Sequence, residues 1–126
     1  MCIRDSHYQV ERPQGKLVRV TRGEVLDVAV DLRRSSPNFG KWVSLLLSAS
    51  NRRQVWVPEG FAHGFLVTSD FAEVMYKTTD YWYPEFERSV LWSDPVLAID
   101  WQFSGTPILA AKDAAARRLL DAELYK

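Results

Sequence analysis

The sequence predicts an all-β jelly roll closed by a short carboxy-terminal helical segment. Many short extended segments follow one another, each breaking at Gly, Pro, Ser, Asn or Asp. Several of them alternate polar and apolar residues or are rich in β-branched side chains, the pattern of a half-buried strand. A helix-forming texture occurs once, in Ala111-Lys112-Asp113-Ala114-Ala115-Ala116-Arg117-Arg118-Leu119-Leu120.

The elements follow in order. His7-Tyr8-Gln9-Val10 reads as the middle of a strand, so the domain begins abruptly. Lys16-Leu17-Val18-Arg19-Val20 alternates polar with apolar, and residues 25–32 carry the β-branched content of a second strand. Arg22-Gly23-Glu24 between them is expected to be a tight hairpin turn. A loop of turn formers, Arg33 to Gly40, precedes strand candidates at 41–48, 53–57, 64–69 and 73–79. Shorter extended pieces surround Leu91-Trp92 and Ile99-Asp100-Trp101, and the helix is expected over 111–120. No repeat, low-complexity tract or linker divides the chain, which implies one domain. The inward positions of a small barrel can leave a cavity for one ligand, so function is sought among inward-facing polar residues.

Composition narrows the function classes. Of 126 residues, 47% are hydrophobic and 25% charged, enough apolar surface to offset the ordering entropy of a folded domain. Sixteen Lys plus Arg balance sixteen Asp plus Glu, so no general field draws in nucleic acid or an anionic membrane. The single cysteine, Cys2, has no partner for an internal disulfide, and no apolar run reaches the roughly 20 residues of a bilayer span. A reducing, cytoplasmic location is expected. The opening MCIRDS has neither an apolar signal core nor the pattern of a transit peptide, and residues 1–6 are set apart as a scar or disordered start.

There are two histidines, His7 and His63, each in an apolar, aromatic setting. Isolated histidines are ordinarily hydrogen-bonded structural residues. Metal binding is disfavoured, because Gln9 stands where a second ligand on the His7 strand face would be. No serine sits in a nucleophile elbow, and neither a GxGxxG nor a Walker pattern occurs. Proton transfer by His, Tyr, Lys and Asp remains. Tyr76 shares a strand face with Val74 and points inward, Lys16 begins a strand, and Asp113 lies near the start of the last helix. None of these is specific alone.

Taken together, HYQ at 7–9, QGKLVRVTRGEVLDVAVDLRRSSPNFGKW at 14–42, LSASNRRQVWVPEGFAHGF at 47–65, YKTTDYWYPEFERSVLWSDP at 76–95 and ILAAKD at 108–113 resemble the dTDP-4-dehydrorhamnose 3,5-epimerase family. That family has a metal-free, cupin-type jelly roll (double-stranded β-helix). The resemblance implies that His7 is the catalytic base, Asp113 its acidic partner, Lys16 the cation for a negative intermediate oxygen and Tyr76 the opposing acid. It places His63, Gln9, Tyr81 and Lys112 at the substrate. It implies no cofactor, a dTDP-sugar substrate and a homodimer, with neither nucleic acid nor membrane as partner. The chemistry fits these residue types: inverting a carbon beside a ketone removes an α-proton on one face, holds an enolate and returns a proton on the other. An epimerase of a single carbon, or an inactive cupin fragment, is the alternative.

The sequence departs from the family pattern at several points. The family reads arginine-glycine-leucine before HYQ, whereas this chain reads Arg4-Asp5-Ser6; Arg4 holds the family arginine's offset, but inside the stretch set apart as a scar. Ala110 replaces a customary serine and Trp82 a frequent tyrosine. Family members also have strands ahead of this point, so residues 7–126 are expected to form a single cupin-like domain lacking its amino-terminal strands. Such a domain is expected to pair through its open strand edges.

Overall fold

The computed structural model describes residues 1–126. Eight strands form two antiparallel sheets. The larger has the order β4-β3-β6-β1-β8 and the smaller β5-β2-β7. Their ranges are β1 Ile3–Gln9, β2 Lys16–Arg22, β3 Glu24–Asp31, β4 Trp42–Ser48, β5 Gln54–Val57, β6 Phe61–Val67, β7 Glu73–Thr78 and β8 Glu87–Val90. The two sheets face one another as a jelly roll.

Strand alternation divides the apolar residues between two cores. Between the sheets lie Val18, Val20, Val25, Ala29, Leu47 and Val57. On the other face of the larger sheet, Leu26, Val28, Val30 and Leu66 pack against Leu97, Trp101, Leu119 and Ala122 of the carboxy-terminal segment. Removing one such leucine to alanine costs about 2–5 kcal/mol. Tyr8 Oη donates to the carbonyl of Glu123 at 2.6 Å and Tyr125 Oη to that of Gln9, which tie the chain's end to β1.

Three expectations are corrected. Residues 3–6 are ordered: they open β1, which lies between β6 and β8, with Ile3, Asp5 and Ser6 buried. The pairing explains it, since β1 satisfies its backbone on two neighbours and turns Ile3 into the outer core. Arg22-Gly23-Glu24 is not a hairpin turn. It is a corner where the chain leaves the small sheet for the large one, with Gly23 at φ +75 and no room for a side chain beside the Phe71 carbonyl. The helix over 111–120 shrinks to one turn, α1 Ala111–Ala114, followed by a 3-10 turn at Leu119–Asp121. Tertiary pairing overrides its propensity: the Arg117 carbonyl accepts from Leu91 N–H at 2.8 Å, and Asp94 Oδ2 accepts from Leu119 N–H at 2.6 Å. Strand β8 was not anticipated, because its ERSV has no apolar alternation to mark it.

Candidate active site

Both sheets and α1 contribute to a cavity of about 440 Å³, whose walls include Arg4, His7, Lys16, His63, Tyr76 and Trp82. Lys16 and Tyr76 come from the smaller sheet, on β2 and β7, where Lys16 pairs with Thr78 and Val18 with Tyr76. Arg4, His7 and His63 come from the larger sheet. His7 and His63 are direct cross-strand partners.

A bulge brings Arg4 into the same wall. Arg4 pairs with Phe65 and His7 with His63, so β1 advances three residues while β6 advances two. A regular strand would turn Arg4 and His7 to opposite faces, and the extra residue returns both to the cavity. Gly64 makes room, since a Cβ there would meet the Arg4 carbonyl oxygen at 2.7 Å. Arg4 is therefore a cavity residue.

His7 is buried, and its two ring nitrogens face different groups. Nδ1 lies against the carbonyl of Asp5, which can only accept, so Nδ1 carries a proton. Nε2 is then the basic nitrogen of the neutral ring. It stands 3.0 Å from Asp113 Oδ1, out of hydrogen-bond alignment, and neither atom has another partner. Burial holds His7 below the ordinary imidazole range; the Asp113 carboxylate pulls it back up and Arg4 pushes it down. The result is an imidazole that burial keeps neutral beside a carboxylate.

Lys16 makes no ion pair. Burial, then the Arg4 charge, lowers its ammonium to about 8, against the opposing pull of Glu87 and Asp27. His63 Nε2 donates to Asp27 Oδ2 at 2.7 Å, with both side chains buried. Asp27 is a site residue that the sequence reading missed. Its signal was an acidic side chain in step with Val25 and Ala29 on an inward face.

The remaining expected residues divide. Lys112 lies on the cavity wall with its Nζ 3.5 Å from Glu87 Oε2. Asp113 does not line the cavity and reaches it only through His7. Gln9 is corrected: its amide is spent on the chain, with Nε2 donating to the Arg12 and Tyr81 carbonyls and Oε1 accepting from Tyr83 N–H. It positions the 81–83 loop and does not line the cavity. Tyr81 is corrected as well. It is 81% exposed and outside the cavity, while its neighbour Trp82 supplies the aromatic wall. No group of three or more His, Cys, Asp or Glu is placed to hold a metal.

Residues 1–121 match the family described as dTDP-4-dehydrorhamnose 3,5-epimerase. The chain belongs to that family. By class it is an isomerase. A Pseudomonas aeruginosa protein of that name is 56% identical over 123 residues, 98% of this chain and 68% of that protein. A crystal structure of a Legionella pneumophila dTDP-6-deoxy-D-glucose-3,5-epimerase in complex with dTDP-4-keto-L-rhamnose superposes with a TM-score of 0.96 at 51% identity, covering 99% of this chain and 68% of that one. A Streptomyces bikiniensis 3'-monoepimerase, in complex with dTDP-quinovose, superposes at 0.88 with 33% identity, covering 94% of this chain and 61% of that one. The chain thus spans about two thirds of the length of the relatives it matches.

Proposed function

We propose that this chain inverts C3 and C5 of dTDP-4-dehydro-6-deoxy-D-glucose to give dTDP-4-dehydro-L-rhamnose. The observation that carries the reading is His7 in the wall of a cavity that Tyr76 lines from the other sheet, with Asp113 buried against its ring. The α-proton passes to His7 Nε2 and its bond electrons move into the enolate. The imidazolium so formed is held by Asp113. The Lys16 ammonium meets the enolate oxygen, where an uncompensated cation stabilises charge that develops during the reaction. Tyr76 returns a proton to the opposite face of the carbon.

A single-carbon epimerase is the second reading, since the fold is shared with a 3'-monoepimerase. Exchange in deuterium oxide separates the two. The proposed enzyme incorporates deuterium at both C3 and C5, a single-carbon enzyme at one of them, and an inactive fragment at neither. His7→Ala abolishes the exchange if His7 is the base; retention of near-normal exchange overturns that role.

The proposal extends to a homodimer and to the cytoplasm. Val43 and Leu46 are exposed on β4, an edge strand of the larger sheet, which supports pairing of two copies. No helix is long and apolar enough to cross a membrane. Light scattering after size exclusion tests the dimer.

A further inference from the structure

His7 also borders a second cavity of about 230 Å³ on the β8 side, and Glu87 and Lys112 line both spaces with it. The rim of this rear cavity includes Arg117 and Glu123, both exposed, so it opens to solvent. Resting on the two-carbon reading above, we propose that the rear cavity is the proton exit of the enzyme, with Glu87 relaying the proton that His7 collects.

The need for an exit follows from the proton balance. In one inversion a C–H bond breaks and its proton forms N–H on His7 Nε2, while the bond pair enters the enolate. The Tyr76 O–H bond then breaks, its proton and the enolate pair form the new C–H bond, and the site is left as imidazolium and phenolate. A second inversion on the same sugar needs a neutral His7 and a protonated Tyr76. One proton must leave and one must arrive while the sugar fills the cavity.

The two residues are placed differently for this reset. Tyr76 is 47% exposed at the mouth and takes its proton from solvent directly. His7 is 6% exposed, and a sugar bound in front of it closes the only approach from the main cavity. Behind it, Gln9 pairs with Glu87 and His7 with Ser89, so Glu87 is the diagonal cross-strand neighbour of His7. Such diagonals are about 7–8 Å apart, a gap one water spans. The carboxylate of Glu87 is mostly buried and lines the rear cavity, so a proton accepted there passes to water in that cavity and leaves through its open rim. Glu87 acts through His7 and is a relay rather than a catalytic residue.

The test is rapid mixing of the chain with substrate in deuterium oxide, following deuterium at each carbon. Glu87→Gln slows exchange at the second carbon by about tenfold or more beyond any slowing at the first, the scale of a lost proton-transfer group. Added imidazole, a diffusible proton carrier, restores the second exchange, which it would not do for a misfolded or misplaced site. Ala116→Leu fills the rear cavity without removing any ionisable group and reproduces the defect. Equal slowing at both carbons, or no slowing in either variant, overturns the relay and leaves the epimerase reading standing. No exchange by the unmutated chain overturns that reading and the relay with it.

Discussion

Asp27 Oδ2 accepts a 2.7 Å hydrogen bond from His63 Nε2, one strand away from the His7–Asp113 pair. The two histidines of the cavity wall therefore each face a buried aspartate, in pairs of different character. In the first the carboxylate is engaged and fixes Nε2 as a donor. In the second, Nε2 of His7 lacks an aligned partner.

Asp27→Asn keeps the side-chain volume and removes the charge that holds the His63 ring. Turnover is expected to fall about tenfold or more, part of the usual acid–base contribution, while dTDP affinity stays within about twofold. Steady-state kinetics and a dTDP titration check both. A parallel loss of affinity would make Asp27 a determinant of architecture.

In the proposed reaction, Lys16 is expected to set the alkaline limit. Its ammonium is lowered to about 8, chiefly by burial, so the charge that meets the enolate is present below pH 8 and lost as pH rises through it. The profile of kcat/KM is expected to fall on that limb. Lys16→Arg keeps its charge throughout and carries the limb upward by at least about one pH unit. Lys16→Gln lowers kcat by about 10²-fold at neutral pH, the scale of one lost oxyanion donor. An unmoved alkaline limb in Lys16→Arg would assign it to another group.

Much of this site was legible because its residues sit at positions where chain pattern and three-dimensional placement agree. His7, Lys16, His63 and Tyr76 all lie on strands whose alternation fixes which side chains turn inward. Arg4 was not legible, since alternation from His7 puts it on the wrong face and only the bulge against β6 restores it. Gln9 and Tyr81 lie off the cavity for a related reason: hydrogen bonds between β1 and the 81–83 loop spend the Gln9 amide and leave Tyr81 in solvent. The terminal helix failed because backbone pairing with 91–94 outweighs local propensity there.

Asp5 is a destabilising residue whose effect depends on pH. It is fully buried, neither carboxylate oxygen meets a donor in hydrogen-bond geometry, and burial, then the charge of Asp113, pushes its carboxyl up to about 8. Below pH 3.8 the folded and unfolded forms both hold the proton and nothing is lost. From 3.8 to about 8 the unfolded chain releases it while the folded chain keeps it, so stability falls as pH rises. Asp5→Ala, which keeps the backbone carbonyl that His7 Nδ1 faces, is expected to raise the melting temperature little at pH 4 and most at pH 8.5. Paired thermal melts of both proteins at the two pH values check this. A gain independent of pH would mean that Asp5 is ionised in the fold.

Tyr76→Phe separates the two halves of the proton transfer, because it removes one hydroxyl and almost no volume. Tyr76 stands on β7 of the smaller sheet and His7 on β1 of the larger, so the two reach the cavity from opposite sides. Abstraction by His7 needs nothing from the phenol. In the variant, deuterium exchange at the α-carbon is therefore expected to persist, because the enolate can take a proton back from His7 on its original face. Inverted product, which needs a donor on the other face, falls by about 10²-fold, the low end of a general-acid contribution. Nuclear magnetic resonance of the sugar, reading label and configuration at each carbon, distinguishes the outcomes. If exchange and inversion decline together, Tyr76 shapes the cavity, and the proton for the opposite face comes from elsewhere, with solvent at the exposed mouth beside Trp82 the first source to examine.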